Sequence, residues 1–132
     1  MYITENFEDV LQIWNSLSEE EKLMICNTEF DNSPYVKYRR VLIKDDIPVS
    51  FLELYVLPHY PNSAYIVVAT NPNYRNKGYS KILVKMAEEY NLVSKKYLEF
   101  IWKTDLKNEK SKKVAKKLGY ELISKNYLKK VF

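Results

Sequence analysis

Six consecutive residues, Arg75-Asn76-Lys77-Gly78-Tyr79-Ser80, have the types and the order to hold a phosphate group. Ahead of them, Tyr65, Ile66, Val67 and Val68 form an apolar β-forming run, as expected of a strand buried on both faces. Thr70, Asn71, Pro72 and Asn73 break that run. Behind them, Ile82, Leu83, Met86 and Tyr90 recur at helical spacing, with Lys81, Lys85, Glu88 and Glu89 on the other face. A strand, a tight loop and a helix opening at Gly78 make an anion site. The first N–H groups of a helix have no partner inside it, and the dipole adds about half a positive charge there. Gly78 has no Cβ to keep a phosphate from the backbone. Arg75 and Lys77 add charge at the mouth. Taken alone, an Arg-x-x-Gly loop is more often a plain helix start with solvated basic neighbours. No Walker A pattern is present, and a dinucleotide fingerprint needs three glycines where the chain has two.

A second candidate is Glu53. It stands in the run from Ile47 to Val56, where Val49, Phe51, Glu53 and Tyr55 alternate with Ser50, Leu52, Leu54 and Val56. An acid in an apolar strand is usually paired or at an edge; a minority are catalytic bases with a raised pKa. His59, the only histidine, lies in the Pro-punctuated loop 57–63 with no companion ligands, so no metal site is expected. Cys26 is the only cysteine, which rules out an internal disulfide and fits a reducing cytoplasm.

The Pro72, Arg75, Gly78, Ser80 arrangement resembles the acetyl-CoA-binding signature of the GCN5-related N-acetyltransferase (GNAT) superfamily, with Ser80 where the family has Gly or Ala. A second stretch carries the same resemblance: Asn108, Ser111, Ala115, then Lys117-Leu118-Gly119-Tyr120. Residues 36–123 are covered well, the N-terminal helices less specifically. The resemblance implies an α/β (α+β) GNAT fold, a mixed, mostly antiparallel central sheet of six to seven strands flanked by about four helices. It implies an acetyl-CoA-dependent N-acetyltransferase in which a primary amine attacks the thioester directly. The cofactor-binding residues it marks are Arg75, Asn76, Lys77, Gly78, Tyr79 and Ser80 for the diphosphate, with Asn108 and Ser111 for the pantetheine arm. A backbone donor near Ala69 and Thr70 would meet the thioester oxygen. The lysines of the last helix would meet the 3′-phosphate.

Two departures follow from the same comparison. Many family members carry a tyrosine general acid where this chain has Ala115, and Tyr120 fills a structural slot. Many also carry on the central strand an acidic residue that takes the amine proton, and residues 64–70 contain none, which leaves Glu53 as candidate base, ahead of Tyr55 and Tyr65. A GNAT-fold module that binds acyl-CoA without catalysis is therefore the alternative.

The elements that must position these residues are readable in outline. Phe7, Val10, Leu11, Trp14 and Leu17 give an amphipathic helix over 5–17, and Ser18 with Glu21 forms a capping box opening a second helix to about Asn27. Runs 35–44 and 47–56 flank Asp45-Asp46 as an antiparallel hairpin. Residues 96–103 read as a strand, 108–118 as a helix stopped by Gly119, and 120–123 and 127–132 as closing strands.

The 132-residue length and balanced composition fit one soluble domain over 1–132. No apolar run approaches the roughly 20 residues of a membrane span, and no signal peptide is visible, so a cytoplasmic location is expected. Residues 95–132 hold twelve lysines against four acids, whereas residues 1–94 are net acidic. That points to an anionic partner. A phosphate-rich cofactor meets this need, and with no aromatic–basic or zinc motif nucleic acid is disfavoured. The acceptor, a small-molecule or peptide amine, is left open, as is a homodimer.

Overall fold

The computed structural model describes residues 1–25, 30–103, 109–124 and 126–132. A seven-stranded sheet runs through the molecule in the order β1-β2-β3-β4-β5-β7-β6. Its strands are β1 (Tyr2–Thr4), β2 (Val36–Lys44), β3 (Ile47–Tyr55), β4 (Ser63–Thr70), β5 (Glu99–Lys103), β6 (Glu121–Ser124) and β7 (Tyr127–Val131). The helices are α1 (Phe7–Ser16), α2 (Glu19–Ile25), α3 (Tyr79–Ser94) and α4 (Glu109–Lys117), with a 3₁₀ turn at Pro72–Tyr74. Every pairing is antiparallel except β4 with β5. A parallel pair needs a long crossover, and α3 supplies it.

The two faces have different cores. On one, Leu52, Leu54, Ala64 and Ile66 of the sheet pack against Leu83, Val84 and Ala87 of α3, with Ala115 of α4. On the other, Val10 and Ile13 of α1 cover Val41, Ile43 and Phe51. Phe30 stacks on Trp14 at 4.1 Å and closes that side. The capping box of α2 forms as expected. Ser18 Oγ accepts from the Glu21 N–H and Glu21 Oε1 accepts from the Ser18 N–H, each at 3.2 Å.

Several expectations need correction. β1 is a three-residue edge strand that had no periodicity to read. β4 is buried on one face only: Ala64 and Ile66 are buried, while Tyr65 and residues 67–70 keep some exposure. Tyr65 stacks on Tyr55 at 5.1 Å on the less covered face. Strict alternation fails along β3 because the β2–β3 register passes from Leu42↔Ser50 to Ile43↔Pro48, skipping Val49. That bulge turns Val49 to the α3 side while Phe51 stays on the α1 side. The strand expected over 96–103 begins only at Glu99, with Leu98 before it 62% exposed and Phe100 and Trp102 in the core. The helix α3 runs one turn past Tyr90 and ends where Lys95 takes a left-handed φ of 54°.

Candidate functional site

The end of β4 is where the sheet opens. Its ladder with β5 runs from Ser63↔Glu99 to Ile66↔Trp102, whereas its ladder with β3 continues to Ser50↔Thr70. The Asn71 N–H donates to the Val49 carbonyl at 2.8 Å, which fixes the alternation: residues 65, 67, 69 and 71 bond to β3. Val68 and Thr70 therefore carry their backbone N–H and C=O groups toward β5, beyond the point where the two strands pair. Backbone groups turned to an unpaired strand edge are a template for an extended, amide-bearing ligand. Ser50, fully buried, steadies this end by donating its hydroxyl to the Ala69 carbonyl at 3.0 Å and lying 2.9 Å from the Thr70 hydroxyl.

The anion loop follows directly. Asn71 caps the 3₁₀ turn by accepting from the Asn73 N–H at 3.0 Å. Asn76 (φ 64°) and Gly78 (φ 77°) both take left-handed backbone, a conformation that only Gly and, less readily, Asn or Asp adopt at low cost. Successive N–H groups in such a turn curl toward one point and favour an anion. The first bond of α3 runs from the Ile82 N–H to the Gly78 carbonyl at 3.1 Å. The N–H groups of Tyr79, Ser80 and Lys81 thus have no acceptor within the helix. A Cβ built on Gly78 would meet nothing within 4 Å, so the space over this backbone is open. Tyr79 is buried beneath the loop, its hydroxyl accepting from Lys44 Nζ at 3.2 Å.

These features line one cleft of about 430 Å³, within the usual range for small-molecule sites. Val68, Ala69 and Thr70 form its floor, the stretch from Tyr74 to Lys81 one wall, Leu17, Glu21, Met24 and Ile25 a second, and Lys110, Ser111, Val114 and Lys117 of α4 a third. Among the described residues its charge is one-sided: Arg75, Lys77, Lys81, Lys110 and Lys117 against Glu21. The cleft gathers Ala69, Thr70, Arg75, Asn76, Lys77, Gly78, Tyr79, Ser80 and Ser111. Asn108 lies outside the described residues. Ala69 lines the cleft, but its N–H belongs to the β3 side; the backbone donors facing the opening are those of Val68 and Thr70.

Glu53 does not line the cleft. Its side chain is 4% exposed and is ion-paired to Arg39, Nε to Oε2 at 2.7 Å. Arg39 also donates to Asn32 Oδ1 at 2.8 Å and stacks over the Phe7 ring. Burial pushes the Glu53 carboxyl up and Arg39 opposes it, leaving a net rise. Of the weaker candidates, Tyr55 and Tyr65 form the stacked pair outside the cleft, with Tyr65 raised by burial. Ala115 is fully buried among core residues, so no polar group is presented from that position. Sequence reasoning missed Glu21 as a cleft residue: its capping-box role was legible, but not its reach across the cleft to Arg75.

Among the described residues, no cluster of His, Cys, Asp and Glu forms a metal site. No described helix is long and apolar enough to cross a membrane, which says nothing of a β-barrel.

No curated protein matches the sequence. Among solved structures, the fold is similar to that of a ribosomal-protein-alanine N-acetyltransferase from Brucella melitensis (TM-score 0.78, 15% identity, 100% of both chains covered). It is similar also to a GNAT-family acetyltransferase from Bacillus anthracis (TM-score 0.75, 17% identity, 98% of this chain and 93% of the other). The microcin C7 self-immunity acetyltransferase MccE, in complex with acetyl-CoA and AMP, matches over 71% of this chain (TM-score 0.60, 18% identity). The chain spans 60% of the MccE chain and 66% of an N-acetyltransferase from Staphylococcus aureus Mu50. The profile of the acetyltransferase (GNAT) family matches residues 4–120, most of the sequence, and the chain belongs to that family.

Proposed function

We propose that this protein is an acetyl-CoA-dependent N-acetyltransferase acting on a primary amine. One observation carries the reading: the open edge of β4 runs directly into a helix start with unpaired N–H groups, within a single basic cleft. Acetyl-CoA combines the two chemistries that such a cleft suits, amides along an extended arm and a diphosphate at its end. It supplies an acyl group activated as a thioester, which an unprotonated amine attacks at carbon as the thiolate leaves.

The residues have distinct parts. The N–H groups of the Asn76–Ser80 stretch hold the diphosphate, and Arg75 and Lys77 neutralise it. The backbone of Val68 and Thr70 pairs with the pantetheine amides, and one of their N–H groups meets the charge that develops on the thioester oxygen. Ser111 stands on the α4 wall beside the arm. Lys110 and Lys117 on the same wall suit the 3′-phosphate. The amine proton passes to water, since Glu53 is engaged by Arg39 away from the cleft. A thiolate whose acid has a pKa near about 8.5 leaves without a strong acid, which makes Ala115 tolerable.

Acetyl-CoA with a panel of amines (a peptide N-terminus, a lysine peptide, an amino sugar and a polyamine) tests this, read as release of free CoA thiol. Thiol release that depends on one amine class supports transfer. A second reading, a module that binds acyl-CoA without turnover, draws on the engaged Glu53 and the buried Ala115. Tight CoA binding with no amine-dependent thiol release would establish it instead.

A further inference from the structure

Glu21 is the only acid among the described residues that line the cleft, and it is already engaged. Its Oε2 accepts from Arg75 Nη2, so α2 is tied to the anion loop across the cleft. Its Oε1 accepts from the Ser18 N–H at 3.2 Å, which holds the carboxylate at the first turn of α2. Burial pushes the Glu21 carboxyl up, but the Ser18 amide and Arg75 outweigh it and hold it below its ordinary value. The group is therefore a carboxylate at neutral pH. Within α2 no residue is buried, Leu23 is 66% exposed, and Met24 and Ile25 line the cleft.

A diphosphate entering the loop brings a second anion to the same guanidinium. Glu21 holds that guanidinium through Nη2, a nitrogen that a phosphate bound in bidentate fashion to the planar fork would also use. A carboxylate left beside a phosphate also repels it, more strongly in a partly enclosed cleft than in bulk water. Resting on the acetyl-CoA reading above, we propose that Glu21 competes with the cofactor's diphosphate for Arg75, so that cofactor binding frees α2 and the cleft wall it carries. The coupling is reciprocal: loosening α2 tightens cofactor binding by the same factor. The Glu21–Arg75 contact is thus a latch that the diphosphate opens.

Calorimetric titration with CoA tests this on the wild type, Glu21→Gln and Arg75→Ala. Glutamine keeps the acceptor for Ser18 and removes the competing charge. Glu21→Gln should bind CoA about 1.5- to 5-fold tighter, the range for a partly exposed ion pair, and Arg75→Ala should bind more weakly. Hydrogen exchange gives a second readout. Saturating inorganic diphosphate, which fills only the loop, should speed exchange of the α2 amides in the wild type. In Glu21→Gln those amides should exchange fast without ligand. If the wild type binds CoA and Glu21→Gln binds equally or more weakly, Glu21 orients Arg75 rather than competing for it, and the latch is overturned. If neither protein binds CoA, the acetyl-CoA reading itself fails and takes the latch with it.

Discussion

Replacing Arg39 by alanine should destabilise the fold sharply and in a pH-dependent way. The Glu53 side chain is 4% exposed and that of Arg39 14%, with a 2.7 Å contact between them. Removing one partner of a buried pair costs about 3–5 kcal/mol, because the other charge is left uncompensated. The low end applies here, since Arg39 keeps some solvent access. An unfolding entropy of about 2.1 cal/mol/K per residue gives about 0.28 kcal/mol/K for 132 residues. A loss of about 3 kcal/mol then lowers Tm by about 11 °C. The sign of the pH effect follows from the pair. Burial raises the Glu53 carboxyl and Arg39 opposes it, so without Arg39 only the raising cause remains. An acid whose folded pKa lies above its unfolded value binds its proton more tightly when folded. Its destabilisation is complete above the folded pKa and is relieved as pH falls through it. Thermal unfolding followed by circular dichroism at pH 7 and pH 5 should show the Arg39→Ala deficit shrinking at the lower pH, relative to wild type. Glu53→Gln should also lower Tm. A deficit below about 3 °C, or one that does not shrink on acidification, would refute this reasoning. Amine acetylation abolished in Glu53→Gln with an unchanged Tm would restore Glu53 as a base.

Two further outcomes are expected. Lys130 pairs with Glu88 at 3.1 Å and donates to the Leu118 carbonyl at 2.9 Å, joining α3, the end of α4 and β7; Lys130→Met should lose about 1–3 kcal/mol in urea unfolding, with no loss counting against this tie. If Lys117 on the α4 wall meets the 3′-phosphate, Lys117→Ala should weaken CoA several-fold but leave dephospho-CoA nearly unchanged by calorimetry, and equal weakening of both would remove it from that role.

The parts of this molecule that the sequence discloses are those with local causes. The strand–loop–helix around Gly78 was legible because an apolar run, breakers and a helical period follow one another within 27 residues. The capping box of α2 was legible because its two partners are three residues apart. Register was not. The bulge that turns Val49 away from Phe51 depends on how β2 and β3 slide past each other. The same register places Arg39 opposite Glu53, and so supplies an ion-pair partner to an acid that pattern alone leaves open between a paired residue and a base. The Glu21–Arg75 contact joins residues 54 apart in sequence, and no local period encodes it. The separation of β4 from β5 is likewise a property of two ladders of different length. Both strands read correctly as strands, yet only their pairing shows that Val68 and Thr70, rather than Ala69, turn their backbone donors to the cleft.

Cofactor binding at the Gly78 loop is the claim on which the account rests. CoA titrated into the wild type and into Gly78→Asp by calorimetry tests it most directly. A new Cβ meets no protein atom within 4 Å, and aspartate tolerates a left-handed backbone better than most residues. The fold should therefore survive with a cost of about 1–2 kcal/mol for the left-handed backbone. The carboxylate would stand where the diphosphate belongs. The account predicts wild-type binding with a Kd on the order of micromolar, about −8 kcal/mol, and loss of that binding in a folded Gly78→Asp. Absence of CoA binding by a folded wild type, or equal binding by Gly78→Asp, would contradict it.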